Sequence, residues 1–181
     1  MTVDGILRIG VTGHINLAAG TEVLIRRALA TYLTTVPATE ILGVTCLAAG
    51  ADQLFAQTVR DAGGAYEVIL PAADYRAVVP HDERPQFDEL LAGARVVVYA
   101  AESSGAEAYV AANHLLLDRI DRLVAVWDGL PCADAASTAA VVSAARGRGL
   151  EPTVIWPAGA ARSPDPPVGG GRSDTAGLGR R

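Results

Sequence analysis

Short apolar runs rich in β-branched residues recur along the chain at residues 6–11, 41–47, 66–70, 95–99, 123–127 and 153–156. Most are continuously apolar. A strand with one wet face alternates with period two, so unbroken runs predict strands covered on both faces, as in a parallel sheet. Between them the period changes. Ala51, Leu54, Phe55, Thr58, Val59 and Ala62 fall on one stripe at helical spacing, as do Phe87, Leu90, Leu91 and Ala94, and then Tyr109, Ala112, Leu116, Leu117 and Ile120. Gly63 and Gly64 stop the first of these helices, and Pro85 suits the opening turn of the second. Residues 23–33 predict a helix running up to Pro37, and residues 137–148 a last helix ending around Gly147 and Gly149. Strands alternating with helices imply an α/β fold: a single doubly wound, mainly parallel sheet of about six strands with helices on both faces, Rossmann-like in type.

The pattern stops at Ala158. Residues 1–157 are expected to form one domain, and residues 158–181, rich in Gly, Pro and Arg, a disordered tail that buries too little to offset its ordering entropy. Composition narrows the picture further. Hydrophobic residues make up 50% of the 181 positions and aromatics 5%, so Ala, Val, Leu and Ile must build the core. No apolar stretch is long enough to span a membrane. Met1-Thr2-Val3-Asp4 leads into the first strand without a basic segment or cleavable apolar run, which makes the cytoplasm the default location.

All fifteen positive charges are arginines, which excludes a Schiff-base or phosphate-loop lysine. The net charge of −5 argues against a duplex-DNA partner, which needs a concentrated basic face. Cys46 and Cys132 form no C-x-x-C, and His14, His81 and His114 lack metal-ligand spacing. Neither a metal nor a cofactor is expected.

In an open parallel sheet, ligands bind beyond the carboxyl ends of the strands, where helix N-termini present free N–H groups. Four junctions of this kind carry candidate chemistry. The turn after the first strand contains Gly10, Thr12, Gly13 and His14, where glycines allow close backbone approach to a ligand. The second contains Gly50, an anion-binding turn, and Asp52, which serves as a helix cap or a ligand contact. The third is Asp128-Gly129, followed by Ser137 and Thr138 at the start of the last helix, a phosphate cradle or a simple N-cap. The fourth is the long loop 71–84 with Tyr75, Arg76, His81 and Arg84, irregular enough to be a lid or binding loop.

Taken in order, these segments resemble the SLOG superfamily, the Rossmann-like domains shared by LONELY GUY phosphoribohydrolases and the DNA-processing protein A domain, and within it a bacterial nucleotide-binding branch. The matching text is Arg8-Ile-Gly-Val-Thr-Gly-His, Cys46-Leu-Ala-Ala-Gly-Ala-Asp-Gln-Leu, Val68-Ile-Leu-Pro with Tyr75, Ala108-Tyr-Val-Ala-Ala and Val124-Ala-Val-Trp-Asp-Gly-Leu-Pro. The resemblance implies a nucleotide or nucleotide-derived ligand, with ADP-ribose relatives among the alternatives, and a homo-oligomeric state. There are departures. Relatives open the last helix with Gly-Gly-Thr, where this chain has Ala136-Ser137-Thr138, and the phosphoribohydrolases carry a catalytic glutamate three residues later, where it has Val141. The leading expectation is therefore a module that binds or senses a nucleotide-like small molecule. The alternatives are N-glycosidic hydrolysis of a nucleoside monophosphate, with Asp128, Asp52 or Glu102 standing in for the absent glutamate and Asp128 the leading candidate, and a degenerate fold serving protein interaction.

Overall fold

A computed structural model describes residues 5–36 and 40–164. Six parallel strands form one sheet in the order β4-β3-β2-β1-β5-β6: β1 (Ile6–Gly13), β2 (Glu40–Thr45), β3 (Ala65–Ala72), β4 (Val96–Ala101), β5 (Arg122–Val126) and β6 (Thr153–Ile155). Five helices connect them: α1 (Thr21–Thr35), α2 (Ala51–Asp61), α3 (Arg84–Ala92), α4 (Ala106–Leu117) and α5 (Thr138–Gly147). This is the Rossmann-like architecture that the alternating runs predict.

The unbroken apolar strands follow from burial on both faces. Ile9, Val11, Val68, Leu70, Val124 and Val126 join a core with α1, α2 and α3 through Ile25, Leu29, Leu54, Phe55, Phe87 and Leu90. The alternate positions Val44, Ile69 and Leu123 pack on the other face against Ala112, Leu116, Val141 and Ala145 of α4 and α5. On the α2 stripe, Ala51, Leu54, Phe55, Thr58 and Val59 are buried, whereas Ala62 lies beyond the last helical residue and is exposed. Gly63, at φ 79°, ends this helix: its N–H donates to Arg60 O and the Gly64 N–H to Val59 O, each at 2.9 Å, a Schellman motif. Among the described residues, no helix is long and apolar enough to cross a membrane.

Two expectations change. The helix before Pro37 ends at Thr35, and Pro37 itself lies outside the described residues. Residues 158–164, expected in the tail, instead run back across the start of α1. Ala18 N–H donates to Ala161 O at 2.9 Å, Ser163 N–H donates to Asn16 O at 2.8 Å, and Leu17 bridges Arg162 in antiparallel sense. Backbone hydrogen bonds hold this stretch, so its lack of large apolar side chains does not prevent ordering. Residues 165–181 lie outside the described residues.

Strand order determines where a crevice opens. The chain winds outward from β1 through β2 and β3 to β4, then returns to the far side of β1 with β5 and β6. The connections after β1 and β5 thus leave the sheet in opposite directions, the switch point at which open α/β sheets hold ligands.

Candidate functional site

A cavity of about 790 Å³ lies at this switch point, over the carboxyl ends of β1, β2, β3 and β5. Of the residues singled out from sequence, Thr12, Gly13, His14, Asp52, Tyr75, Ser137 and Thr138 line it; Gly10, Gly50, Asp128 and Gly129 do not. The three glycines of the first two junctions prove to be packing residues. A Cβ on Gly10 would stand 2.7 Å from Ile120, and one on Gly50, at φ 73°, 2.6 Å from the carbonyl oxygen of His14. Close approach is what they provide, but to other parts of the chain. Gly13, though on the cavity wall, is likewise wedged against Ala51 and Val126.

The β2–α2 junction is built around Asp52, whose side chain is buried in the first turn of α2. Its Oδ2 accepts from Thr45 Oγ1 at 3.1 Å and from the Cys46 N–H at 3.0 Å, so it braces the preceding loop rather than capping its own helix. Burial pushes this carboxyl up to about 7, against the opposing pull of those hydrogen bonds. Leu47, in the same loop, is fully buried at φ 58°. Its N–H donates to Thr45 Oγ1 at 3.0 Å, and its carbonyl accepts from Gln53 Nε2 at 3.3 Å. A leucine in the left-handed region is strained, and here that strain is maintained on the cavity wall.

At the third junction Ser137 is the N-cap of α5, its Oγ accepting from the Ala140 N–H at 3.2 Å. Asp134 closes the turn before it, accepting from the Ala136 N–H through Oδ1 at 2.8 Å and from the Ser137 N–H through its carbonyl at 3.1 Å. The first-turn amides of Thr138 and Ala139 have no intrahelical acceptor, and both residues line the cavity. Asn113 from α4 donates to Ala136 O at 3.3 Å and fixes this wall from the side.

Asp128 sits just behind the cavity wall in a dense set of contacts. Its Oδ1 accepts from the Leu130 N–H at 3.0 Å and lies 3.1 Å from His14 Nε2, and its Oδ2 lies 3.0 Å from Arg162 Nε. Burial pushes the carboxyl up, but the Leu130 amide, His14 and Arg162 together hold it below the ordinary aspartate value. His14 packs edge-on against Trp156, with ring centres 5.4 Å apart. Burial lowers its pKa, Asp128 raises it and Arg162 lowers it further, with a net downward shift. His14 Nε2 lies within hydrogen-bond distance of both the Asp128 N–H, at 3.2 Å, and Asp128 Oδ1, at 3.1 Å. Asp128 is thus committed to holding chain segments together, and this candidate catalytic carboxylate does not line the cavity.

The long loop is shorter and firmer than its sequence suggests. Tyr75–Ala77 form a 3-10 turn, Arg76 pairs with Asp88 through two hydrogen bonds of 2.6 Å, and Arg84 donates to Val79 O and Ala77 O, each at 3.0 Å. These arginines brace the loop. What it offers the cavity is mainly apolar: Pro71, Tyr75, Val78, Val79 and Pro80, joined by Glu83. Tyr75 lies 5.9 Å from Tyr109 of α4 in an edge-to-face arrangement, giving the cavity an aromatic wall. His81 does not line it.

Sequence reasoning missed three contributors: Tyr109, Asn113 and Arg162. Tyr109, although inside one of the segments that carry the resemblance, reads as a core position of its helical stripe, and Asn113 as an ordinary helix position. Arg162 was assigned to the tail, and only the course of residues 158–164 brings it back.

No protein-family model matches the chain, and no curated protein matches it. Solved structures do. DNA processing protein A from Streptococcus pneumoniae is similar with a TM-score of 0.59 at 12% identity, over 84% of this chain and 51% of that one. DNA processing protein A from Helicobacter pylori, described by its single-stranded DNA binding mode, gives 0.61 at 13% identity, over 83% and 66%. TM1055, a structural genomics target, gives 0.53 at 19% identity, over 81% and 72%. The chain thus spans about half of the first protein's length and about two thirds of the second's. These likenesses establish the fold, a Rossmann-like α/β fold of the kind seen in DNA processing protein A.

Proposed function

We propose that the chain binds a nucleotide or nucleotide-derived small molecule in the cavity at the switch point. The observation that carries this reading is the joining of two complementary walls in one cavity. The α5 start, with Ser137, Thr138 and unpaired amides, suits a phosphate, and Tyr75 with Tyr109 offers an aromatic surface for a base. A volume of about 790 Å³ is within the range of small-molecule sites. Ala136 and Ser137 line the hollow without filling it, which weighs against a degenerate fold kept only for protein interaction.

Single-stranded DNA is the partner named for the Helicobacter pylori neighbour, but charge favours a small molecule here. The net charge is −5, and among the described arginines Arg8, Arg26, Arg60, Arg76, Arg95, Arg119, Arg146 and Arg148 are paired with carboxylates, so a basic track for a strand is lacking among the described residues. Calorimetry and thermal shift with AMP, other nucleotides, NAD and ADP-ribose, run beside a single-stranded oligonucleotide, test this reading. Binding of at least one of the small molecules is the expected result. Failure of all of them at millimolar concentration removes it.

Asp52 favours a second reading, N-glycosidic hydrolysis of a nucleoside monophosphate. It lines the cavity, and a carboxyl titrating near neutrality can either give or take a proton there. The test is chromatography for released base after incubation with nucleoside monophosphates, with Asp52→Asn as the control; release that survives the substitution rules out this assignment.

A further inference from the structure

Arg162, Ser163 and Pro164 line the cavity, and among the described residues Arg162 is the one arginine that does. Arg162 is held in place by its backbone bridge to Leu17 and by Asp128, itself fixed by His14 and the Leu130 amide. Only its Nε is engaged, at 3.0 Å from Asp128 Oδ2; among the described residues the two Nη groups have no acceptor. A guanidinium has five N–H donors, and the unspent ones here form the planar fork suited to a phosphate or carboxylate. Glu83 and Asp134, also on the cavity wall, are acidic and would turn an anion away from their own positions.

The location of Arg162 gives this more content. Its segment bonds the start of α1, on the sheet face that carries α1 to α3. Ser137 and Thr138 open α5, on the opposite face. The two positions therefore face one another across the ends of β1 and β5. We propose that Arg162 receives a second anionic group of the ligand, separate from the phosphate on α5, so that the ligand class is a nucleotide with two separated anionic groups, such as a nucleoside bisphosphate. This rests on the nucleotide reading of the cavity and adds a second recognition point to it.

The experiment compares AMP with adenosine 3′,5′-bisphosphate by calorimetry on the wild-type chain, Arg162→Gln and Arg162→Lys, with melting curves as the control for folding. The wild type should bind the bisphosphate about tenfold more tightly than AMP, the worth of one charge-assisted contact. Arg162→Gln should remove that preference, so that the variant binds the two nucleotides equally. Should Arg162→Gln fail to fold, Arg162→Lys decides, because an ammonium cannot offer the fork and must weaken the bisphosphate several-fold. Equal binding of the two nucleotides by the wild type, or a preference that survives both substitutions, overturns the inference and leaves the nucleotide reading standing. An equal loss of both nucleotides in Arg162→Gln also overturns it, by placing Arg162 on the first phosphate. If neither nucleotide binds the wild type, the nucleotide reading itself falls, and the inference with it.

Discussion

A Cβ on Gly13 would stand 2.4 Å from the Cβ of Ala51, and 2.7 Å from that of Val126. The end of β1 therefore meets the first residue of α2 on one side and the end of β5 on the other, with no room for a side chain. Gly13→Ala must push these three elements apart, at a cost of about 1–3 kcal/mol or a failure to fold. Gly129, at φ 82° with open space around it, is the useful comparison: an alanine there meets only backbone strain, about 1 kcal/mol. Urea midpoints of the two variants should differ in that order, and a Gly13→Ala midpoint at or above that of Gly129→Ala would contradict the packing argument.

Asp52 makes stability depend on pH in an unusual direction. Burial holds its carboxyl at about 7 when folded, against 3.8 for an ordinary aspartate. Between those values the folded chain holds a proton that the unfolded chain has lost. The stabilising contribution is thus complete below pH 3.8 and is lost as pH rises through about 7. His14, with its lowered pKa, acts oppositely and loses stability as pH falls. Comparing the pH–stability curve of Asp52→Asn with that of the wild type separates the two. The asparagine variant should show a shallower fall toward neutrality, and parallel curves would mean that Asp52 titrates normally.

Ser137 caps α5 through a single contact to the Ala140 amide. Replacing it with alanine should cost about 1 kcal/mol, seen as a melting temperature lower by about 2–4 °C. A wild-type melting temperature in Ser137→Ala would show that the cap is dispensable, leaving a ligand as the remaining reason for the hydroxyl.

Tyr66 is 2% exposed and donates its hydroxyl to Leu90 O at 2.6 Å, which ties β3 to α3 beneath the bracing loop. Tyr66→Phe should cost about 1 kcal/mol, because the Leu90 carbonyl keeps a second donor in the Gly93 amide. Chemical denaturation measures this directly, and a loss several times larger would mean that the carbonyl is left stranded.

The framework was legible because burial on both sheet faces writes itself into sequence as unbroken apolar runs, and helix burial as a 3.6-residue period. The α2 stripe shows this well: its buried members could be named before any coordinates. Glycine was harder. Gly10, Gly13 and Gly50 look like ligand-cradling turns, but a glycine admits a neighbouring helix as readily as a phosphate, and the sequence does not say which will approach. Leu47 gave no sign of its positive φ, because its conformation is imposed by Thr45, Gln53 and the packing around it. Asp128 looked available for catalysis because its partner Arg162 belongs to a segment with no apolar pattern at all. Contacts made by backbone amides and one ion pair leave no periodic trace.

The central position of β1 also bears on how the chain is made. Arg8 in β1 donates its N–H to Asp121, 113 residues later, and Ile9 is paired with Arg122 of β5. During synthesis, β1 to β4 can assemble while the middle strand of the finished sheet still stands at an open edge, with its N–H and C=O groups unpaired. An apolar strand in that condition invites pairing with another nascent copy. Translation that stalls before β5 should therefore yield aggregate rather than a soluble half-domain.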